Sequence, residues 1–140
     1  KLHISDNLSD GYLLYSIVSP LADYRISYFI NSYAALDLKK YGDMSLNKDP
    51  NPVSVSWFYF LDENINTSYY LIGNKGKEGL LFSELKQIDY LLLIKSSFKE
   101  NDFEEKIKQI RNIQQVFAVL KQDFQRLFSA DEFLEANEML

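Results

Sequence analysis

The sequence predicts an α+β fold: one mainly antiparallel sheet with helices packed on one side, in the order β-α-β-β-β-β-α-β-α. Three observations predict it. Short apolar or alternating runs, YLLYSIV, VSVSWFYFL, SYYLIGN and IDYLLLIKSSF, read as strands. Two longer stretches, around residues 20–35 and from 102 onward, repeat apolar residues at helical spacing. Strands and helices are partly segregated along the chain, so a strictly alternating parallel sheet does not fit. A length of 140 residues fits one domain, with residues 1–11 a loose lead-in and 129–140 a helical tail.

YLLYSIV, residues 12–18, is the first strand. Ser19 is a suitable N-cap and Pro20 a suitable first helical residue, so a helix is predicted over about 20–35. Asp23 suits its positive end. Ala22, Ile26, Phe29, Ile30 and Tyr33 form the expected buried stripe, widened by Leu21, Tyr24 and Tyr28. A short edge strand is placed near 38–41, and Asp49-Pro50-Asn51-Pro52 reads as a loop. In VSVSWFYFL, Val53, Val55, Trp57, Tyr59 and Leu61 share one face, with Phe58 and Phe60 on the other. Trp57 reads as core or sheet surface rather than a ligand platform. Residues 68–74 return as the second strand of a hairpin.

GNKGKEG, residues 73–79, carries three glycines but lacks the helix and the Gly-Lys-Ser/Thr that a phosphate loop needs, so it reads as a turn. A strand over about 88–96 follows. Asn101 or Asp102 caps the next helix, whose stripe is Phe103, Ile107 and Ile110, with Glu104 and Lys108 as a supporting pair. QQVFAVL, residues 114–120, is the last predicted strand; Phe124, Leu127 and Phe128, and then the capping pattern from Ser129 to Glu132, point to terminal helices.

Composition narrows function. There is no cysteine and the single histidine is His3, so thiolate sites, a zinc site of the common kind and a histidine-based triad are not expected, and no metal or cofactor is predicted. A net charge of −5 and a pI near 4.9 argue against nucleic acid as a partner. Apolar runs such as WFYFL and YLLLI are far shorter than the roughly 20 residues of a membrane helix, and no signal peptide is legible. A cytoplasmic protein without membrane association is expected. Ten tyrosines and ten phenylalanines supply the amphipathic and apolar area that interfaces favour.

The segment from Phe82 to Tyr90, FSELKQIDY, sets acids beside the apolar run LLLI. It resembles the signature of the IPExxxVDY family, small proteins found chiefly in the Bacteroidetes. Glu84, Asp89 and Tyr90 match the fixed letters; Phe82, Ser83 and Ile88 stand in place of Ile, Pro and Val. Ser83 is the real departure, because it removes a rigid turn. LADYR and YYLIGNK extend the likeness, which covers roughly residues 12–128. The resemblance implies an identity and brings no established activity.

The residues themselves favour a structural network. On a strand, Asp89 shares a face with Leu91 and Leu93, so it lies at the rim or is buried with a partner. Arg25 is the expected partner, with Lys86 second, and Glu84 joins either Arg25 or nearby backbone. Glu84 and Asp89 are five residues apart, which puts them on opposite faces of a strand and about 140° apart on a helix. An acid/base pair is therefore not expected. The leading functional reading is a non-catalytic module that binds a protein partner or a second copy of itself. A small-ligand regulatory domain comes next, and an enzyme using carboxylate, lysine or tyrosine chemistry last.

Overall fold

The computed structural model describes residues 11–46 and 52–123. The lead-in before residue 11, part of the 49–52 loop and the predicted helices beyond residue 123 lie outside these. Within them the chain forms β1 (Tyr12–Val18), α1 (Asp23–Ala34), β2 (Lys39–Leu46), β3 (Val53–Asp62), β4 (Thr67–Gly73), a two-residue hairpin β5 (Lys75–Gly76) and β6 (Gly79–Leu80), β7 (Tyr90–Lys95), α2 (Glu104–Arg111) and β8 (Ala118–Gln122). A 3-10 turn, Glu100–Phe103, leads into α2.

Six strands make one sheet in the order β2-β3-β4-β7-β1-β8, and every neighbouring pair is antiparallel. Hence β7 and β8 run the same way with β1 between them, and β1 and β4 run the same way with β7 between them. The strands β4-β7-β1-β8, with α1 and α2 on the two crossovers, have the split β-α-β connectivity of ferredoxin-like folds. The β2-β3 hairpin widens that sheet beside β4.

Both helices cover one face. Ile26 and Ile30 of α1 and Ile107 and Ile110 of α2 pack with Tyr15, Ile17, Tyr69, Leu71, Leu92 and Ile94 of the sheet in one apolar core. Lys106 of α2 donates to the carbonyl of Ala34 at the end of α1, 2.7 Å away, tying the helices together. Residues of opposite parity along the strands, among them Leu14, Val55, Tyr70, Ile72, Leu91 and Leu93, form a second core on the other face. Leu81, Phe82 and Ile88 belong to that second core. The alternation of β3 follows the expected faces, and Tyr69 and Tyr70 fall on opposite faces of β4.

Several boundaries differ from expectation: the edge strand placed near 38–41 runs over Lys39–Leu46, and the strand placed over about 88–96 is Tyr90–Lys95. α1 starts at Asp23, not near 20, because the Ser19 hydroxyl is committed elsewhere: it donates to the carbonyl of Gln115 at 2.7 Å and accepts the Leu21 N–H at 3.2 Å. Its buried residues are Ile26, Ser27, Ile30 and Ala34, whereas Tyr24, Tyr28 and Tyr33 turn outward. The last strand is Ala118–Gln122 rather than 114–120; Val116, which fed the apolar pattern, is buried in the turn before it.

Both sheet edges are blunted. β2 carries Lys39 and Lys40 and a bulge between Lys40 and Gly42, where Gly42 adopts φ 109°, a conformation costly for any side chain. On β8 the carbonyl of Val119 is covered by Arg111, whose Nε and Nη2 donate at 3.2 and 2.8 Å.

Candidate functional site

The FSELKQIDY stretch is shaped by two successive turns. The Leu85 N–H donates to the Phe82 carbonyl at 3.0 Å and the Ile88 N–H to the Leu85 carbonyl at 3.1 Å. A three-residue repeat puts Phe82, Leu85 and Ile88 on one side of the segment. Phe82 and Ile88 are buried and Leu85 partly so, while Ser83, Glu84, Lys86 and Gln87 are exposed. The apolar residues are a plug over the second sheet face, and the polar ones are its solvated outside.

One residue that sequence reasoning passed over organises this plug. Asn74 directly follows β4 and is 0% exposed. Its Oδ1 accepts the Phe82 N–H at 2.9 Å, and its Nδ2 donates to the carbonyls of Leu85 and Ile88 at 2.9 and 3.0 Å. Its own backbone N–H donates to the Asp89 carbonyl at 2.9 Å, and its carbonyl accepts the Leu81 N–H at 2.7 Å. A buried amide with every donor and acceptor used holds a loop that has no regular ladder of its own. The available signal was an Asn between a strand and a glycine-rich turn. Its partners lie 8 to 14 residues further on, out of reach of local pattern.

Asp89 joins three segments. Its Oδ2 accepts the Ser19 N–H at 2.8 Å, and its Oδ1 pairs with Lys75 Nζ at 2.7 Å. Its partners are thus Lys75 and the backbone that leads into α1, rather than Arg25 or Lys86. Geometry decides this: Asp89 stands just before β7, beside the end of β1 and the start of β5, whereas Arg25 lies on the exposed side of α1. Tyr90 is buried and donates to the Leu21 carbonyl at 2.6 Å, a second tie between β7 and the α1 lead-in. Its hydroxyl is pushed up to about 12, by burial first and then by the negative charges of Asp23 and Asp89. Glu84 and Lys86 form no ion pair among the described residues. The five residues singled out from sequence therefore separate: Asp89 and Tyr90 anchor, Glu84 and Lys86 face solvent, and Arg25 belongs to another surface.

A hollow of about 310 Å³ opens beside Asp89, lined by Ser19, Pro20, Leu21, Asp23, Ser56, Gly73, Lys75 and Tyr90 as well. Its charges largely compensate one another: Asp89 with Lys75, and Asp23 with Lys40 at 3.5 Å. Glu84 does not line it, so the two signature carboxylates are not brought together for proton transfer. Among the described residues no group of three or more acids or histidines is placed to hold a metal ion.

The second surface is the outer side of α1. Tyr24, Tyr28 and Tyr33 are 68%, 67% and 42% exposed. Arg25 lies over the Phe29 ring, 5.8 Å from its centroid, and Phe29 meets Tyr28 and Tyr33 edge to face at 5.5 and 6.5 Å. Between this ridge and the connector from α2 to β8 lies a groove of about 170 Å³, lined by Leu21, Arg25, Phe29, Tyr33, Ile113, Gln114 and Gln115. By contrast, Trp57 stacks on Tyr70 at 6.3 Å and is half-buried on the second sheet face.

No protein-family model matches the chain, and neither a curated protein nor a solved structure is significantly similar to it. Among the described residues no helix is long and apolar enough to cross a membrane.

Proposed function

We propose that the protein is a non-catalytic cytoplasmic module that binds a protein partner through the outer side of α1. The observation that carries this reading is the composition of that side. Tyr24, Arg25, Tyr28, Phe29, Ser32 and Tyr33 occupy a continuous arc of the helix with no carboxylate among them. Tyrosine and arginine are the residues that dominate binding hot spots, because they bring large contact area and strong donors. A folded domain gains nothing in stability from turning three tyrosines to water. Both sheet edges are blunted, which leaves this helix face as the better-suited surface for association.

On this reading the chain is a member of the IPExxxVDY family, and its signature serves the scaffold. Nucleic acid is disfavoured as partner by the net charge of −5. The test is capture and cross-linking with a photoreactive group placed at Tyr28 in the full chain, compared with one placed at Lys95. A specific product from position 28, lost in the Tyr24→Ser/Tyr28→Ser/Tyr33→Ser variant, supports the reading. Equal products from both positions contradict it.

The hollow beside Asp89 favours a second reading, a small-ligand regulatory domain, because its volume reaches the lower end of ligand pockets. Against it, both oxygens of Asp89 are already used by Ser19 and Lys75. A thermal shift with small polar metabolites, abolished by a bulky residue at Ser56, would favour this second reading.

A further inference from the structure

We infer that the groove between α1 and the α2–β8 connector takes one large apolar side chain from a peptide segment that carries a carboxylate beside it. This rests on the α1 reading and names the partner's chemistry. The lining is mixed: Leu21 and Ile113 are buried beneath it and Phe29 is partly buried against the same core, while Arg25, Gln114 and Gln115 supply its polar side. A cavity of about 170 Å³ admits one bulky side chain and no folded element. That is the shape of a single-anchor pocket, in which one residue of the partner is desolvated and its neighbours seal the rim.

The rim sets the charge. Among the described residues Arg25 is the one ionisable cation lining the groove, and no acid lines it. Among the described residues Arg25 makes no ion pair and its guanidinium lies over the Phe29 ring, whose face does not occupy the N–H donors. A planar donor fork next to an apolar slot is matched by a carboxylate next to an apolar anchor. Gln114 and Gln115, both exposed, add amides that suit the main chain of an extended segment. The net charge of −5 opposes an acidic partner only weakly, since charges beyond about 8 Å are screened at physiological salt while the Arg25 contact is direct. A second copy of the chain is the poorer occupant: a two-fold contact would set the same acid-free face against itself, Arg25 included.

The test is selection of a displayed random peptide library on the full chain, followed by anisotropy titration of the selected peptides. Selected peptides are expected to share a large apolar residue adjacent to Asp or Glu. Arg25→Gln, an exposed change, should weaken them about tenfold or more, as should amidation of the peptide acid. The two changes combined should cost less than their sum. Peptides that need Tyr28 and Tyr33 but carry no acid, or that ignore Arg25→Gln, overturn this inference and leave the α1 reading standing. Binding that survives Tyr24→Ser/Tyr28→Ser/Tyr33→Ser, or a library that yields no binder, overturns both.

Discussion

Tyr90 and Tyr69 are both buried on the helix side of the sheet, yet their hydroxyls meet different fates. The Tyr90 hydroxyl reaches the Leu21 carbonyl at 2.6 Å, while that of Tyr69, a residue 1% exposed, has no hydrogen-bond partner among the described residues. Tyr90→Phe should therefore cost about 1–2 kcal/mol in urea unfolding, because a buried carbonyl loses its donor. Tyr69→Phe should be neutral or stabilising, since it removes an uncompensated polar atom. At Asp89 the two partners also differ. Lys75 is half exposed, so Lys75→Met should cost less than about 1 kcal/mol, whereas Asp89→Ala also strips the Ser19 N–H of its acceptor and should cost about 1–3 kcal/mol. Urea midpoints of the two single variants and the double variant separate these contributions. Sequence reasoning could place Asp89 among apolar neighbours and demand a partner for it. It could not choose Lys75 over Arg25, because that choice depends on where β1, β5 and β7 end in space.

Elements were more legible than their ends. Alternation and helical spacing located β1, β3, β4, β7 and both helices, because each buries a continuous face whose period survives in the chain. Their termini follow from single hydrogen bonds instead. Ser19 has the chemistry of an N-cap but spends it on Gln115, and the apolar Val116 mimics a strand residue while filling a turn. The tyrosines of α1 misled for a different reason: a phenol counts as apolar in a periodicity pattern whether it is buried or reserved for a surface. The exit of α1 carries its own strain. Ala35 sits in the left-handed region at φ 56°, and Asn31 closes the turn through two hydrogen bonds to Leu38 at 2.8 and 3.1 Å. Ala35→Gly should raise stability by about 0.5–1 kcal/mol, read as a higher urea midpoint with unchanged slope. Opposite in sign is Gly76→Ala, where a Cβ would overlap the carbonyl oxygen of Ser54 and push the β5-β6 hairpin off β3.

At the scale of the whole molecule, the buried tyrosines make the fold sensitive to alkali. Tyr69 and Tyr90 are each raised from about 10 to about 12, chiefly by burial, and Tyr12 is raised further still for the same leading reason. The unfolded chain releases these protons first, so their contribution to stability is complete below about pH 10 and is lost as pH rises toward 12. Unfolding midpoints at pH 9, 10 and 11 should fall in that order, and less steeply in Tyr69→Phe. The scaffold and the proposed binding face are otherwise separate: the Asn74 and Asp89 network lies between the sheet and its connecting loops, and the aromatic arc lies on the far side of α1. Serine at Tyr24, Tyr28 and Tyr33 should accordingly leave stability within about 0.5 kcal/mol per site while abolishing partner binding. The most direct test of the scaffold role is urea unfolding of Asn74→Ala. Loss of the amide takes the acceptor from the buried Phe82 N–H and the donor from the buried Ile88 carbonyl, leaves the Leu85 carbonyl with only the Ile88 N–H, and a drop of about 2 kcal/mol or more is expected. A variant as stable as the parent would contradict the assignment of this stretch to the scaffold.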